Sequence, residues 1–76
     1  MNQSTLKELE KGNEATIAGI DCKCKNKLRL LDMGFTKGTI VKPLWQARNM
    51  HITAYRIKGT LIGIRSEEAR YINIIL

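Results

Sequence analysis

The sequence predicts a mainly β fold, a small barrel of about five strands with short helical insertions. Short runs of alternating apolar and polar residues recur along the chain, and glycine-containing turns separate them. A chain of 76 residues buries only about 60% of its unfolded surface, so its core must be compact. A sheet that closes on itself also removes the exposed edges that an open sheet would present.

The whole chain, residues 1–76, is predicted to form one domain without repeats or linkers. No apolar run approaches the ~18 residues that a membrane-spanning helix needs. The first residues also lack the apolar segment of a signal peptide. We therefore expect a cytoplasmic protein.

The net charge of +6 arises from 13 Lys and Arg residues against seven Asp and Glu residues. Such a charge favours an acidic protein partner, a nucleic acid or the inner face of the cell membrane. A basic surface that only keeps the protein in solution would explain it as well.

The N-terminal residues predict a short helix followed by a strand. Thr5 and Glu8 have the spacing of a capping box, with Thr5 as the N-cap residue. Gly12 is expected to end this helix of about two turns in a left-handed conformation. The alternation of residues 15–20 then predicts a strand with one half-buried face.

The stretch RLLDMGFTKGT, residues 29–39, predicts a short helix that is buried on most sides. Leu28 and Leu31 share one helical face, Phe35 would lie near it, and further apolar residues flank them. We expect Leu28, Leu31 and Phe35 to belong to the core.

Gly34 is predicted to end this helix as the left-handed residue of a Schellman motif. In that motif the Phe35 N–H donates to the Leu30 carbonyl, and the Gly34 N–H donates to that of Leu31. Gly38 is then expected at the third position of a type II turn. The two glycines would direct the chain from the helix into the next strand.

The second half of the chain predicts further strands and one helical turn. Pro43 cannot donate to a sheet ladder, so its strand should lie at an edge or contain a bulge. Gly59 fits a tight hairpin turn, and Ser66 fits the N-cap of a single helical turn. The predicted strands lie at residues 40–45, 53–57, 61–65 and 72–76.

Three stretches of the sequence resemble the ferrous iron transport protein A (FeoA) family. They are TLKELEKG with ATIAGI, then KLRLLDMGFTKGTIV, residues 27–41, and RIKGTLIGIRSEEARYI, residues 56–72. The resemblance implies an SH3-like β-barrel and an accessory role in bacterial ferrous iron uptake, with the membrane GTPase-permease FeoB as partner. A similar domain occurs at the C-terminus of some metal-dependent repressors.

The chain departs from the family pattern at three places. Many members have proline where this chain has Lys37. The stretch LWQARNMHI stands where members often have a loop similar to Pro-Leu-Gly-Asp-Pro, and it introduces a tryptophan, an arginine and a histidine. Cys22 and Cys24 lie in a loop where glycines are common.

Two places are candidates for binding a partner protein. On the predicted helix, Leu31, Asp32 and Met33 combine apolar side chains with an acid, although the apolar ones could simply fill the core. Trp45 and Arg48 could read a peptide, as aromatic grooves of SH3-like domains do, unless Trp45 is a half-buried structural residue.

Cys22, Cys24 and His51 are candidate metal ligands. Thiolates and imidazole bind zinc or iron, but a tetrahedral site needs four ligands, usually with two to four residues between paired cysteines. Here one residue separates the cysteines, and the sequence offers no obvious fourth ligand. We therefore expect free thiols and no cofactor, with zinc or iron bound only adventitiously.

No enzyme is predicted, because the sequence has no nucleophile–base motif, no phosphate-binding glycine loop and one histidine. The main hypothesis is an accessory protein that binds or regulates FeoB. The alternative is a stand-alone small barrel that binds a metal or a nucleic acid, although four aromatic residues argue against nucleic acid. A homodimer through Pro43 or residues 74–76 stays open.

Overall fold

The computed structural model describes residues 3–47 and 51–76, and these form one antiparallel sheet with short helices. The strands are β1 (Gln3–Thr5), β2 (Ala15–Ile20), β3 (Ile40–Ala47), β4 (Ile52–Ile57), β5 (Thr60–Arg65) and β6 (Ile72–Ile75). The helices are α1 (Lys27–Asp32) and α2 (Ser66–Ala69), and Leu6–Glu8 form a 3-10 turn. The order of strands in the sheet is β1-β6-β2-β3-β4-β5.

The predicted mainly β fold is confirmed, and β1 is the strand that the sequence did not indicate. Its three residues are polar, so no apolar alternation marks it. It is held by pairing with β6, where Gln3 lies opposite Ile75 and Thr5 lies opposite Asn73. The strand β6 therefore lies between β1 and β2, and Ile74 and Ile75 do not form a sheet edge.

One apolar core lies inside the sheet. The largest fully buried side chains are those of Phe35, Leu6, Ile17, Leu30, Ile57, Ile64, Ile72, Ile74, Val41 and Pro43. The helix α2 packs against both β5 and the 3-10 turn. The 3-10 turn directly follows β1. Its contact with α2 therefore links β5 and β1, which are the two outermost strands in the sheet order. In the described ranges, no helix has the length and apolar character needed to cross a membrane.

The N-terminal helix is shorter than the sequence predicts, and its capping box is not formed. Thr5 is the N-cap residue but makes no capping hydrogen bond to the backbone. Its hydroxyl instead donates to the Glu8 carboxylate at 3.2 Å. The chain is already extended at Leu9, and both Leu6 and Leu9 are buried. The chain thus buries both leucines by leaving the helical conformation before Leu9, and a longer helix does not form.

The predicted end of α1 is confirmed at Gly34, whose φ is +111°. The Phe35 N–H donates to the Leu30 carbonyl at 3.1 Å, and the Gly34 N–H donates to the Leu31 carbonyl at 3.0 Å. These are the two bonds of a Schellman motif. Gly38, with φ of +90°, completes the predicted turn into β3.

The prediction that Leu28 belongs to the core is wrong, because its side chain is 77% exposed. Leu30 is instead the buried residue of α1, and Leu31 is only partly buried. Leu28 and Leu30 lie about 200° apart around a helix, so burial of one turns the other towards solvent. In a helix of six residues, the sequence pattern alone did not identify the buried face.

The predicted bulge near Pro43 is present, since the register between β3 and β4 shifts between Pro43 and Trp45. The strand β3 is not an edge strand, but it pairs with β2 only through Ile40 and Val41. Pro43 therefore lies beyond that pairing, where its missing N–H costs no ladder bond. Its carbonyl accepts a hydrogen bond from the Gly12 N–H at 2.9 Å.

The hairpin between β4 and β5 turns through Lys58 and Gly59, whose φ values are +51° and +76°. This confirms the predicted turn at Gly59. Ser66 is not the N-cap of α2 but its first residue, and Arg65 takes the N-cap position. The Ser66 hydroxyl instead donates to the His51 carbonyl at 3.0 Å, which ties the start of α2 to the start of β4.

Candidate interaction surfaces

The first candidate surface lies on α1 and the residue after it. Asp32 is exposed, while Leu31 and Met33 are partly buried and Met33 packs against the core. Leu28, which the sequence placed in the core, adds the most exposed apolar side chain of this surface. The arrangement offers a small apolar patch beside one carboxylate, which suits contact with another protein.

Behind this surface, the Glu68 carboxylate of α2 fixes the position of α1. Arg29 forms an ion pair with Glu68 Oε2, and Asn26 Nδ2 donates to the same oxygen at 3.1 Å. Burial raises the pKa of Glu68, but the hydrogen bonds from Arg29 and Asn26 outweigh this effect and hold the pKa below its ordinary value. The carboxylate is therefore ionised near neutral pH and has a structural role.

A groove of about 420 Å³ lies beside this ion pair, between the loop before α1 and the end of α2. Arg70 stacks on the Tyr71 ring at 4.8 Å, and its Nη2 donates to the Tyr71 hydroxyl at 2.8 Å, which raises the pKa of Arg70. Acidic and basic side chains both line the groove, so it does not select a ligand of one charge. Its lining residues are Lys23, Cys24, Lys25, Asn26, Glu67, Glu68, Arg70 and Tyr71.

The three candidate metal ligands lie in different surroundings. Cys22 is exposed, whereas Cys24 is buried in the core cluster. His51 is exposed and lines a separate groove beside Lys7 and Arg65. Over residues 3–47 and 51–76, no group of three or more His, Cys, Asp and Glu side chains is placed to hold a metal ion.

The second candidate surface is centred on Trp45 in β3, whose side chain is 50% exposed. Trp45 is thus half-buried, and its exposed half is accessible to a ligand. Arg48, predicted to act with it, lies outside the described residues. Trp45 lies opposite Ala54 of β4, and Ala54 lies opposite Gly63 of β5. The strand register therefore determines which residues surround the Trp45 side chain.

The charges around Trp45 have a property that sequence reasoning missed. The segment from residue 33 to residue 66, which we call the acid-free segment, contains six of the 13 Lys and Arg residues and none of the seven Asp and Glu residues. The remaining residues contain seven basic and seven acidic side chains. The signal was readable in the sequence, but only the sheet shows that Lys42 and Arg56 lie side by side within it.

Comparison with known proteins relates the chain to one family. The family model described as FeoA domain matches residues 4–76. An FeoA-like protein from Clostridium acetobutylicum is 25% identical, and the match covers 100% of this chain and 88% of that one with a TM-score of 0.90. FeoA from Stenotrophomonas maltophilia, an SH3 domain protein determined in complex with zinc, is 23% identical over 93% of this chain and 88% of its own, with a TM-score of 0.80.

The same fold also occurs within larger proteins. A manganese-dependent transcriptional repressor in complex with manganese matches 99% of this chain but 37% of its own, with 18% identity and a TM-score of 0.86. No curated protein matches the sequence. The structural likenesses confirm the predicted SH3-like fold.

Proposed function

The chain belongs to the FeoA family, and we propose that it is a cytoplasmic, non-enzymatic accessory protein of bacterial ferrous iron uptake that binds or regulates the cytosolic part of the permease FeoB. The observation that carries this proposal is the match of the FeoA domain model to residues 4–76. The S. maltophilia relative, for which a role as a ferrous iron transport activating factor has been suggested, supports the same role.

The surface on α1 is our candidate for the contact with the permease. It places exposed Leu28 and Asp32 beside partly buried Leu31 and Met33. The Arg29–Glu68 ion pair holds α1 against α2, so the surface is presented on a fixed support. The net charge of +6 would also draw the protein to anionic lipids at the inner membrane face, by about 1 kcal/mol per basic residue near the surface.

Co-purification with FeoB, reconstituted in lipid, tests the proposal directly. We expect the tagged chain to retain FeoB, and we expect deletion of its gene to lower ferrous iron uptake by cells. Leu28→Gln combined with Asp32→Arg should weaken retention. Leu76→Gln, at an exposed apolar residue outside α1, is the matched control. Normal uptake after deletion, together with no retention of FeoB, would refute the proposal.

We propose further that the protein performs this role without a resident metal cofactor. Cys22 is exposed and Cys24 is buried, so the two thiols are not equally available to one ion. Cys22→Ser combined with His51→Ala should therefore leave ferrous iron uptake unchanged. A loss of uptake in this variant, with an unchanged melting temperature, would contradict this part of the proposal.

A second candidate function is a stand-alone regulator that binds a metal or a nucleic acid. The acid-free segment favours it, because an uncompensated basic surface attracts phosphate groups. A titration with single- and double-stranded oligonucleotides at about 50 mM salt tests the nucleic-acid version, since electrostatic binding is strong there. If neither oligonucleotide bound measurably in that titration, the nucleic-acid version of this function would be refuted.

A further inference from the structure

The outer side of the β3–β4–β5 sheet combines an apolar strip with cationic side chains. Residues directly opposite each other in an antiparallel pair point to the same side of the sheet. We define the meander face as three such rows, namely Lys42–Arg56–Leu61, Trp45–Ala54–Gly63 and Ala47–Ile52–Arg65. Val41, Tyr55 and Ile57 alternate with these residues and are buried in the core, so the meander face points outwards.

The middle row of the meander face forms a shallow apolar strip. Ala54 is only 3% exposed although it lies on the outer side, so its methyl group lies below the larger side chains around it. Gly63 has no side chain, and a Cβ there would come within 3.3 Å of Ile52 Cγ2. Trp45 is therefore the large side chain of this row, and its exposed half, together with the exposed Gly63, is accessible to one apolar side chain of a partner. Aromatic side chains in such positions commonly supply much of the binding energy of an interface.

The cationic side chains of this face are arranged at a cost to stability. Lys42 lies directly opposite Arg56, and like charges in opposing positions destabilise a strand pair. In the part of the chain that the structure describes, neither residue forms an ion pair. Arg65 lies 3.9 Å from Glu67, but both side chains are largely exposed, so this pair contributes little. Within residues 3–47 and 51–76, Lys42 and Arg56 thus contribute positive charge that no acidic side chain pairs with.

We propose that the meander face binds an acidic protein segment in which carboxylates flank one large apolar side chain. The apolar side chain would lie on the strip beside Trp45, and the carboxylates would neutralise Lys42, Arg56 and Arg65. The inference goes beyond the proposed function, because the chemistry of the face defines the partner whichever protein contains the segment. Single-stranded nucleic acid fits less well, since such sites stack successive bases on several aromatic rings and this face has one.

Titration with short peptides tests the proposal without any permease. The probes are a peptide with glutamates around a central leucine and its counterparts with glutamine or lysine in place of glutamate. Trp45 is the only tryptophan, so its fluorescence reports directly from the face, and amide chemical shifts locate the binding. We expect the glutamate peptide to shift the emission to shorter wavelengths and to move signals of β3, β4 and β5, with weaker binding at higher salt.

Three results of this titration would overturn the proposal. The first is the absence of any change with the glutamate peptide at millimolar concentration. The second is equal binding of the glutamine or lysine peptide, or signals that move on α1 instead of the sheet. The third is tighter binding of oligothymidylate than of the glutamate peptide in the same buffer, which would assign the face to nucleic acid.

Charge-reversal variants localise the effect. Lys42→Glu combined with Arg56→Glu should weaken binding of the glutamate peptide by about tenfold or more. Lys25→Glu with Lys27→Glu makes the same change of net charge at exposed residues outside the sheet, and it should weaken binding by less than about twofold. Equal loss in both variants would mean that only net charge matters, and the proposal would fail.

Filling the strip separates the apolar contact from the charges. Gly63→Leu leaves the basic residues in place but occupies the space beside Trp45, so we expect loss of peptide binding. Trp45→Ala removes the indole ring and with it the fluorescence signal, so amide chemical shifts are used to measure its binding. This variant should also bind the peptide more weakly, and the result does not depend on any change at Gly63. Melting curves establish that each variant is folded. Unchanged affinity in both variants would contradict an apolar anchor at this strip.

Discussion

The acid-free segment and the rest of the chain use charge in different ways. In the rest of the chain, acidic groups take part in the fold: Glu68 binds Arg29 and Asn26, and Asp21 Oδ1 accepts the Lys23 N–H at 2.9 Å. In the acid-free segment, hairpin ladders and apolar contacts hold the strands. Its six Lys and Arg residues account for the whole net charge of +6.

This difference teaches how to separate structural charge from functional charge in a small domain. Where an ion pair links two elements, as between α1 and α2, its removal should lower stability. Where like charges face each other on a sheet, as Lys42 and Arg56 do, their removal should raise stability and lower affinity for an acidic partner.

The largest expected change in the free energy of unfolding comes from α1, which lies outside the acid-free segment and is held to the core by Leu30. Leu30→Ala should lower the free energy of unfolding by about 2–5 kcal/mol, because it removes a buried side chain and leaves a cavity. Leu28→Ala, in the same helix, should change it by less than about 0.5 kcal/mol. Denaturant unfolding measures both values. Similar losses in the two variants would show that α1 is buried on both sides.

The next effect concerns Gly34, at the boundary between the two regions. Gly34→Val should destabilise the protein by about 2 kcal/mol, because a β-branched residue is strained at positive φ. Gly63→Val is the control in the acid-free segment. Its φ is not in the left-handed region, and its new Cβ would come within 3.3 Å of the Ile52 Cγ2 methyl group, a contact that a small shift relieves, so it should cost less. A reversed order in thermal melting would refute the role given to the left-handed backbone.

Glu68→Gln should lower stability at neutral pH by about 1–2 kcal/mol, since a charged hydrogen-bond acceptor is lost. The folded protein holds the pKa of Glu68 below its ordinary value, so its contribution is present above that ordinary pKa. It is lost as the pH falls through the folded pKa. The melting temperatures of the variant and the parent should therefore converge in acid.

The control for this pH dependence is Glu67→Gln, because the Glu67 side chain is 74% exposed. It should have little effect at any pH. If the difference between Glu68→Gln and the parent stayed constant from neutral to acid pH, the ion pair would not be its cause.

The smallest effect is a gain in stability within the acid-free segment. Lys42→Glu replaces a pair of like charges opposite Arg56 with a pair of opposite charges, and it should stabilise the protein by about 0.2–1 kcal/mol. The gain should shrink in high salt. Lys37→Glu makes the same change of charge in a turn without a cross-strand partner and serves as control. Equal gains would show that net charge alone sets the effect.

The elements that the sequence predicted well depend on local backbone chemistry. The Schellman bonds at Gly34 and the bulge near Pro43 follow from what glycine and proline permit, so a few neighbouring residues determine them. The exposure of Leu28 could not be predicted from neighbouring residues. It depends on which of several leucines in a two-turn helix meets a sheet formed by distant residues.

The features that the sequence did not reveal are those made by distant partners. The polar strand β1 exists because β6 pairs with it, and Arg29 meets Glu68 across 39 positions of the chain. The meander face is an intermediate case. The absence of acids from residues 33–66 is a property of the sequence, but the register of β3, β4 and β5 is needed to place Lys42, Trp45 and Arg56 on one side.

The position of β6 between β1 and β2 has a consequence for the order of assembly. The contacts of β3, β4 and β5 join residues close in the chain, so these hairpins can form early in folding. The strands β1 and β2 instead pair with residues 72–75 of β6, which lie at the other end of the chain, so a long loop must close before they pair. We therefore expect the hairpins to gain protection from amide exchange first during refolding, and the N-terminal strands to gain it last.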